Sequence, residues 1–359
     1  MSNSPFVLIM AGGIGSRFWP ASRENLPKQF LDITGEGRTL IQMTFDRFAS
    51  FVPVENIFVI THENYKAQTL KAIPDFNPDN LITEPSRNNT AASIALGSFK
   101  LFKMDPDAVC IVTPADQIIR EDNEFQKTIL KACDFARSNP CIITLGIKPT
   151  RPDTGYGYIE FDHDDESPIR KVKSFKEKPT IDIAKQYLKT GNFAWNAGIF
   201  IWRLDQILEE FKIHAPGIYS VLEKGMNYYN TILETEFILS EYPKTEKISV
   251  DYAILEKAQN VYTIPCEIGW SDIGTWNSLF DISEKDSDHN AVLNKPVYLE
   301  NTHRSLISSS HSKLIVIKGL EDYIIVDTDD CLMIIPKSDE QEIKALKEKL
   351  KDLDLGNYL

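Results

Sequence analysis

The chain has 359 residues, and its 39 Lys and Arg against 52 Asp and Glu give a formal net charge of −13 at pH 7. This length predicts about two domains. A hydrophobic fraction of 42% excludes a chain that is disordered throughout. The acidic balance argues against the broad basic surface that nucleic acid or an anionic membrane requires, but a small anionic substrate needs only a few local cations.

The chain contains five dispersed cysteines and no CxxC pair, which is typical of reduced thiols in a cytoplasmic protein. The N-terminus lacks the pattern of a secretory signal. No apolar run approaches the roughly 20 residues that are needed to cross a bilayer. We therefore expect a cytoplasmic protein that binds neither nucleic acid nor a membrane.

The first 150 residues alternate short apolar runs with helical patterns. The predicted strands are Phe6–Met10, Ile57–Ile60, Leu81–Thr83, Val109–Val112 and Cys141–Leu145, and the predicted helices are Leu40–Phe48, Thr90–Met104 and Phe125–Arg137. This order predicts an α/β fold with a Rossmann-like mixed, mostly parallel sheet and helices on both faces. In such sheets ligands bind beyond the carboxyl ends of the strands, so the loops after Met10, Thr83 and Val112 are the first candidates.

The remaining chain changes character twice. Strands near Tyr158–Phe161, Val172–Phe175 and Gly198–Trp202 precede a helix from Leu204 to Lys212. Three short β runs close the tail, followed by a charged helix: Lys313–Ile317, Asp322–Val326, Cys331–Ile335 and residues 339–351. Closely spaced strands predict either a small β module or a solenoid-like, β-helix-like stack. We expect one domain over residues 1–285 and a small C-terminal β module over residues 286–359.

A glycine-rich segment directly follows the first predicted strand. Glycines let the backbone approach a ligand and direct amide groups at phosphate oxygens, and two cations lie nearby. The residues concerned are Ala11, Gly12, Gly13, Gly15, Ser16, Arg17 and Lys28. The segment is not a Walker A loop, and Phe18 stands where a dinucleotide fingerprint needs its third glycine. The alternative is a strand-to-loop turn with incidental cations.

The segment GGIGSRFWPASRENLPKQF resembles the signature of the sugar-1-phosphate nucleotidyltransferases. More narrowly, it is similar to that of the mannose-1-phosphate guanylyltransferases, GGxGxRxWPxSRxxxPKQF. Further matches follow in the family's order at Glu84–Ala91, Pro114–Gln117, Phe175–Pro179, Asn196–Phe200, Ser249–Ala253 and Gly269–Gly274, and the resemblance covers roughly residues 5–336. Gln117 departs from the family, which often has His there, and Val250 stands where many members have Ile.

The resemblance implies the nucleotide-diphospho-sugar transferase fold and a reaction of GTP with mannose 1-phosphate that gives GDP-mannose and pyrophosphate. A phosphate oxygen that is already an anion attacks the α-phosphorus, so the chemistry needs positioning and charge neutralisation rather than a general base. The resemblance assigns Arg17 to the departing β- and γ-phosphates and Lys28 to charge around the α-phosphate.

Two carboxylates match the family's metal positions. Asp116 follows the Val109–Val112 strand, and Asp272 lies in the Trp270–Ile273 segment. Together with phosphate oxygens and water they form a hard oxygen set that suits Mg²⁺. The alternative for either residue alone is a turn or a helix cap.

Glu84 is the candidate for base selection. Guanine presents N1–H and N2–H2 as adjacent donors, and a carboxylate accepts from both, whereas adenine presents an acceptor at N1. The alternative is an exposed loop glutamate. Asn89 and Thr90 open the following helix and are candidates for contact with base or ribose, although Thr90 alone is equally compatible with an N-cap.

A third group of residues matches the family's sugar-phosphate positions. Lys178 would hold the phosphate of mannose 1-phosphate, while Glu177 and Asn196 would bind sugar hydroxyls. Gly157 would let the backbone approach the sugar, and Asp251 would order the site or contact the sugar. The alternative for Glu177 and Lys178 is a solvated ion pair.

Two other functions remain open at this point. One is the same reaction with another hexose 1-phosphate or another nucleotide, and the other is a non-catalytic regulatory subunit that binds nucleotide sugar. The presence of Arg17, Lys28, Asp116 and Asp272 favours an enzyme. We also expect a homodimer, with the β module and the terminal helix as candidate contact surfaces.

Overall fold

The computed structural model describes residues 4–162, 167–293, 296–310 and 313–359. The strands of the main sheet are β1 (Phe6–Met10), β2 (Ile57–His62), β3 (Leu81–Glu84), β4 (Val109–Pro114), β5 (Ile142–Ile147), β6 (Gly157–Phe161), β7 (Arg170–Glu177), β8 (Phe193–Arg203) and β9 (Val261–Cys266). The short strands near the C-terminus are β10 (Ala291–Leu293), β11 (Val297–Glu300), β12 (Leu306–Ser309), β13 (Ile315–Lys318), β14 (Tyr323–Asp327) and β15 (Leu332–Pro336). The helices are α1 (Leu40–Ala49), α2 (Lys66–Ala72), α3 (Asn89–Met104), α4 (Asp122–Ser138), α5 (Ile181–Thr190), α6 (Leu204–His214), α7 (Pro216–Leu222), α8 (Glu234–Glu241), α9 (Trp276–Ile282) and α10 (Ile343–Asp352).

The main sheet is mixed, and its strand order is β3-β2-β1-β4-β8-β5-β9-β7-β6. Strands β3, β2, β1 and β4 pair in parallel, as do β5 and β9. The other pairs are antiparallel, because β8 enters between β4 and β5 in the opposite direction and β6 and β7 form a hairpin-like pair. Fewer strands therefore pair in parallel than the βα alternation predicts. The alternation along the chain does not indicate where a later strand, such as β8, inserts into the sheet.

Strands β1, β2 and β4 are buried along nearly their whole length, which requires cover on both faces of the sheet. Helix α3 packs one face through an unbroken buried run from Ala91 to Leu101. It lies very close to the sheet at Gly97, where a Cβ would lie 2.4 Å from Leu8 Cδ2. A glycine inside this helix is thus explained by close packing on β1.

The C-terminal strands form two small parallel stacks, as the solenoid-like alternative predicted. Strand β12 pairs in parallel with β10 and with β14, and β11 pairs in parallel with β13. Strand β15 closes the larger stack in the antiparallel direction. The predicted terminal helix begins later than expected, because residues 337–342 form 3₁₀ turns before α10.

The chain divides into two compact units. Unit 1 comprises the described residues of 1–12, 44–115 and 119–270, and it contains the main sheet. Unit 2 comprises residues 13–43, 116–118 and the described residues of 271–359. No helix among the described residues is both long enough and apolar enough to span a membrane.

The sequence analysis overlooks four strands, β9 to β12. Pro265 lies inside β9 and weakens its strand pattern. Strands β10, β11 and β12 have only 3, 4 and 4 residues. Runs this short carry little alternation, so only their stacking on neighbouring coils identifies them.

The close packing of Gly97 predicts that Gly97→Ala destabilises the protein. Alanine favours a helix over glycine by about 1 kcal/mol. Overpacking against the fully buried Leu8 costs about 1–3 kcal/mol and outweighs this gain. The matched control is Gly217→Ala in α7, where a Cβ meets nothing within 4 Å, and this variant should be as stable as the parent or slightly more stable. Urea unfolding of both variants tests the prediction, and equal stability of the two would contradict it.

Candidate active site

Lys28 organises a group of candidate site residues in unit 2. It begins a 3₁₀ turn, and its charged side chain is buried. The ammonium lies 2.9 Å from the Asp116 carbonyl oxygen, 3.1 Å from Asp116 Oδ2 and 2.6 Å from the Asp272 carbonyl oxygen. An ammonium has three N–H donors, so these three oxygens use all of them. The structure thus brings together three predicted residues that are far apart in sequence.

Gly15 and Gly274 keep this cluster open. Gly15 has a φ of +66°, and a Cβ there would lie 2.4 Å from Lys28 Cβ. A Cβ on Gly274 would lie 3.0 Å from Asp272 Oδ2 and 3.5 Å from Arg17 Nη1. The Arg17 guanidinium and the Asp272 carboxylate therefore both border the space beside Gly274. Only glycine keeps that space free for a ligand.

Arg17 is an exposed cation that forms neither an ion pair nor a hydrogen bond within the described ranges. Gly13 and Ser16 in the same segment are exposed as well. By contrast, Ala11 in unit 1 is buried and its amide donates to the Ile60 carbonyl oxygen at 2.8 Å, so this amide is already used by the sheet. Of the two predicted cations in this segment, Arg17 and Lys28, Arg17 is the one whose charge is available to an incoming anion.

Glu84 ends β3 in unit 1 and is only 5% exposed, which excludes the alternative of an exposed loop glutamate. Its Oε1 accepts hydrogen bonds from the hydroxyls of Ser93 and Tyr242, which are 3.4 Å apart. A Cβ on Gly12 would lie 3.5 Å from Glu84 Oε2. Burial raises the pKa of the Glu84 carboxyl, and the two hydroxyl donors oppose that rise because they stabilise the charged form.

The side chains of Asn89 and Thr90 accept hydrogen bonds from backbone amides at the start of α3. Asn89 has a φ of +66° and its Oδ1 accepts from the Thr90 amide at 2.8 Å. Thr90 Oγ1 accepts from the Val250 amide at 2.9 Å. Thr90 is therefore not the N-cap of its own helix but holds the segment that leads into Asp251.

The predicted sugar-phosphate residues form a second group in unit 1. Lys178 Nζ lies 2.6 Å from Glu177 Oε1. The Lys178 side chain is 57% exposed and the Glu177 side chain 9% exposed, so the pair is only partly solvated. A Cβ on Gly157 would lie 2.6 Å from Glu177 Oε2, which shows that the backbone of β6 closely approaches this carboxylate. Burial works against the charge of Lys178, but the Glu177 carboxylate outweighs it and raises the pKa of Lys178.

Asn196 and Asp251 join this group through a hydrogen bond of 3.3 Å from Asn196 Nδ2 to Asp251 Oδ1. Asn196 Oδ1 accepts from Thr144 Oγ1 at 2.7 Å, so the amide orientation is fixed. Asp251 begins a π-helical turn, a feature found frequently at functional sites. Burial, together with the like charge of Glu177, raises the pKa of Asp251 to about 6.

Sequence reasoning missed the residues that hold Glu84. Ser93 lies four positions after Asn89, on the same face of α3, so helical spacing could have identified it. Tyr242 is 158 residues from Glu84, and no sequence pattern connects them. Asn88 is fully buried, and its Nδ2 lies 3.1 Å from the carbonyl oxygens of Tyr242 and Thr245 and 2.8 Å from Thr245 Oγ1.

Sequence reasoning also gave no role to Arg23 of the signature segment. In unit 2 its guanidinium forms two hydrogen bonds with the Asp330 carboxylate, of which the Nη1–Oδ2 distance is 2.6 Å. Trp19 Nε1 donates to the Tyr358 carbonyl oxygen at 2.7 Å. These contacts anchor the segment that carries Arg17 and Lys28 on the turn between β14 and β15 and on Tyr358.

Comparisons with known proteins match the chain in two segments. The family model described as nucleotidyl transferase matches residues 6–289, and a model described as a MannoseP isomerase/GMP-like beta-helix domain matches residues 297–350. The relatives include mannose-1-phosphate guanylyltransferase RfbM of Salmonella typhimurium, 36% identical over 98% of this chain and 73% of the relative. Mannose-1-phosphate guanylyltransferase 2 of Escherichia coli O157:H7 is 36% identical over 100% of this chain and 76% of the relative.

Among solved structures, one from Thermus thermophilus named mannose-1-phosphate geranyltransferase has a TM-score of 0.87. It is 28% identical, and the match covers 96% of this chain and 99% of that one. The similarity therefore extends over both compact units.

The burial of Asp251 and its electrostatic repulsion by Glu177 predict a measurable titration. Carboxyl ¹³C NMR should show Asp251 titrating near pH 6. Glu177→Gln removes a like charge and should lower the pKa of Asp251. The control is Glu160→Gln, which changes a carboxylate on β6 that accepts from Ser174 Oγ at 2.8 Å and should leave Asp251 unaffected. An Asp251 midpoint near 4 in the parent protein, the ordinary value for aspartate, would contradict the prediction.

Proposed function

Because the chain belongs to the mannose-1-phosphate guanylyltransferases of the nucleotidyl transferase family, we propose that it transfers GMP from GTP to mannose 1-phosphate. The products are GDP-mannose and pyrophosphate. The observation that carries this proposal is the cluster in unit 2, where Lys28 binds Asp116 and Asp272 and an uncommitted Arg17 borders the Asp272 carboxylate. Cations and carboxylates in this arrangement suit polyphosphate chemistry.

The reaction is an in-line displacement at the α-phosphorus of GTP. An oxygen of the sugar phosphate forms the new P–O bond, and the bond to the β-phosphate oxygen breaks as pyrophosphate leaves. The sugar phosphate is largely a dianion at neutral pH, because its second pKa is about 6. No side chain therefore needs to remove a proton, and the protein contributes positioning and charge.

Arg17 and Lys28 have different tasks in this scheme. Arg17 is uncommitted and would bind the β- and γ-phosphates that depart. Lys28 already donates to three protein oxygens, so it would act at the α-phosphate as a fixed positive charge. A direct hydrogen bond from Lys28 to a phosphate oxygen would require the ammonium to release one of its present acceptors.

The carboxylates of Asp116 and Asp272 are suited to hold Mg²⁺. The described residues contain no group of three or more His, Cys, Asp or Glu that could bind a metal by itself. The Asp116 side chain is 38% exposed, which leaves it accessible to an ion that also binds phosphate and water oxygens. When bound, Mg²⁺ would neutralise phosphate charge and orient the triphosphate.

The remaining predicted residues would recognise the two substrates. Glu84 would accept hydrogen bonds from guanine, with Asn89 and Thr90 nearby in sequence, while Gly12, Gly13, Gly15 and Ser16 of the signature segment would surround the phosphates. Lys178 would bind the phosphate of mannose 1-phosphate, and Glu177, Asn196 and Asp251 would bind the sugar next to Gly157. The contacts of Asn196 with Asp251 and of Glu177 with Lys178 support this grouping.

A cytoplasmic homodimer is part of the proposal. All five cysteines are free thiols, in keeping with a reducing compartment. Several apolar side chains on the C-terminal strands are exposed, among them Tyr298 at 56% and Val316 at 63%, which pair side by side on β11 and β13. Such a face suits contact with a second copy of the chain. Light scattering at several protein concentrations would test this, with a monomer as the contradicting result.

The activity test is pyrophosphate release with Mg²⁺, crossing GTP, ATP, UTP and dTTP with mannose 1-phosphate and glucose 1-phosphate. We expect activity confined largely to GTP with mannose 1-phosphate, and its loss with EDTA. Activity with another pair would keep the reaction class but contradict the assigned substrates. No release by folded protein that binds GTP would contradict the enzyme and favour a regulatory subunit.

Lys28→Met should lower kcat by about 100-fold or more, because it removes a preorganised charge from the transition state. The melting temperature should fall only slightly, since the Asp116 carboxylate can turn to solvent. The control is Lys127→Met on α4, whose side chain is 75% exposed and pairs only with Glu124 at 3.6 Å. Steady-state kinetics of both variants test this, and a Lys28→Met enzyme with the parent kcat would refute the role.

A further inference from the structure

The buried environment of Glu84 contains an arrangement that its proposed role in base recognition does not require. Two hydroxyl groups, from Ser93 and Tyr242, converge on the same carboxylate oxygen, Oε1. Within the described residues Oε2 accepts no hydrogen bond. The two oxygens are therefore unequal: Oε1 is held by the protein, and Oε2 is left for a ligand.

The surroundings of Oε2 leave room for a ligand edge. Among the described residues, apart from the two chain neighbours of Gly12, only Glu84 Oε2 would lie within 4 Å of a Cβ added at Gly12, at 3.5 Å. Gly12 follows β1, and Glu84 ends β3, so both belong to the carboxyl edge of the same parallel strands in unit 1. That edge is where ligands bind in sheets of this kind.

The protonation state of Glu84 determines which base its carboxyl group can bind. An ionised carboxylate offers only acceptors and matches the adjacent N1–H and N2–H2 donors of guanine. A protonated carboxyl carries its hydrogen on Oε2, because Oε1 already accepts twice. It would then repel guanine N1–H and instead match adenine, which has an acceptor at N1 and a donor at N6.

We propose that Ser93 and Tyr242 are positioning residues that determine base choice, because their hydroxyls hold Glu84 ionised and aim its Oε2 at the base. This inference rests on the proposed function, in which Glu84 reads guanine. It adds two residues to that function and predicts that guanine selectivity depends on groups that do not touch the nucleotide.

Tyr242 is built to act as a donor. Its side chain is fully buried, and burial followed by the nearby Glu84 charge raises the pKa of the phenol, so the hydroxyl keeps its proton. Its backbone is fixed as well, because the Asn88 amide donates to the Tyr242 carbonyl oxygen at 3.1 Å. Ser93 Oγ also lies 3.2 Å from the Asn89 carbonyl oxygen, and its single hydrogen serves both that oxygen and the shorter contact with Glu84 Oε1.

The other groups around Glu84 do not set its charge. Burial is the largest influence on the Glu84 pKa, and hydrogen bonds from Ser93 and Tyr242 are the ones that oppose it. His62 occupies the paired position on β2, but its pKa is lowered by burial and by Arg87, against a smaller opposing effect of Glu63. Removing either hydroxyl should therefore raise the pKa of Glu84 further.

The test compares kcat/KM for GTP and ATP across pH 5 to 9 in the parent, Tyr242→Phe and Ser93→Ala enzymes, with mannose 1-phosphate as the acceptor. We expect the GTP preference over ATP to fall by about tenfold or more in Tyr242→Phe, as a hydrogen bond to a charged group is lost. As the pH is lowered, kcat/KM for GTP should begin to fall at a higher pH in Tyr242→Phe than in the parent, because Glu84 becomes protonated earlier. Over the same pH range kcat/KM for ATP should rise.

The matched control is Tyr229→Phe. Tyr229 is also a fully buried tyrosine of unit 1, and its hydroxyl donates to the Leu222 carbonyl oxygen at 2.8 Å. This variant loses a buried hydrogen bond of similar kind without touching Glu84, so base preference and pH profile should match the parent. If Tyr242→Phe fails to fold, as judged by its melting transition, Ser93→Ala decides the question.

Glu84→Gln separates this inference from the function on which it rests. If Glu84→Gln loses GTP preference but Tyr242→Phe and Ser93→Ala keep the parent ratio and pH profile, the inference is overturned and the proposed function stands. If the parent enzyme does not release pyrophosphate from GTP, the proposed function fails and the inference fails with it.

Discussion

The buried ammonium of Lys28 is the constraint on which unit 2 depends. A charge removed from water needs compensating oxygens, and Lys28 obtains three of them from Asp116 and Asp272. These contacts join the glycine-rich segment, the short stretch after β4 and the residues before α9. The same contacts hold the Asp116 carboxylate and the backbone of Asp272 in place. In the proposed function, one arrangement would therefore serve both the burial of the charge and the phosphate chemistry.

Unit 1 contains a buried acidic group, Glu84. Glu84 is compensated by hydroxyl donors from Ser93 and Tyr242 rather than by a cation. Hydroxyl groups stabilise the carboxylate without neutralising it, and they leave one oxygen for recognition. In the proposed function, binding selectivity would therefore depend on neutral donors around a carboxylate, whereas phosphate chemistry would depend on fixed cations. Part of the group proposed to bind the sugar has the same arrangement, since Asp251 accepts from the neutral amide of Asn196, which Thr144 orients.

Local sequence patterns were sufficient to predict the alternation of strands and helices in the first part of the chain and to identify the signature segment. Long apolar runs such as Phe6–Met10 and the helical spacing of Thr90–Met104 appear in the structure as β1 and α3. The short strands β10 to β12 could not be predicted, because three or four residues show no period. The direction of strand pairing could not be predicted either, because the sequence of β8 does not indicate that it inserts between β4 and β5. Tyr242 was unpredictable for a related reason: its hydroxyl acts on a residue 158 positions away.

The most direct measurement of this account is a crystal structure of the protein with GTP and Mg²⁺, without sugar phosphate so that no turnover occurs. The account predicts guanine N1 or N2 within about 2.7–3.2 Å of Glu84 Oε2, with Oε1 still bound to Ser93 and Tyr242. It also predicts the ion on Asp116 and Asp272 and the terminal phosphates on Arg17. A base bound away from Glu84, or an ion bound without either aspartate, would contradict it.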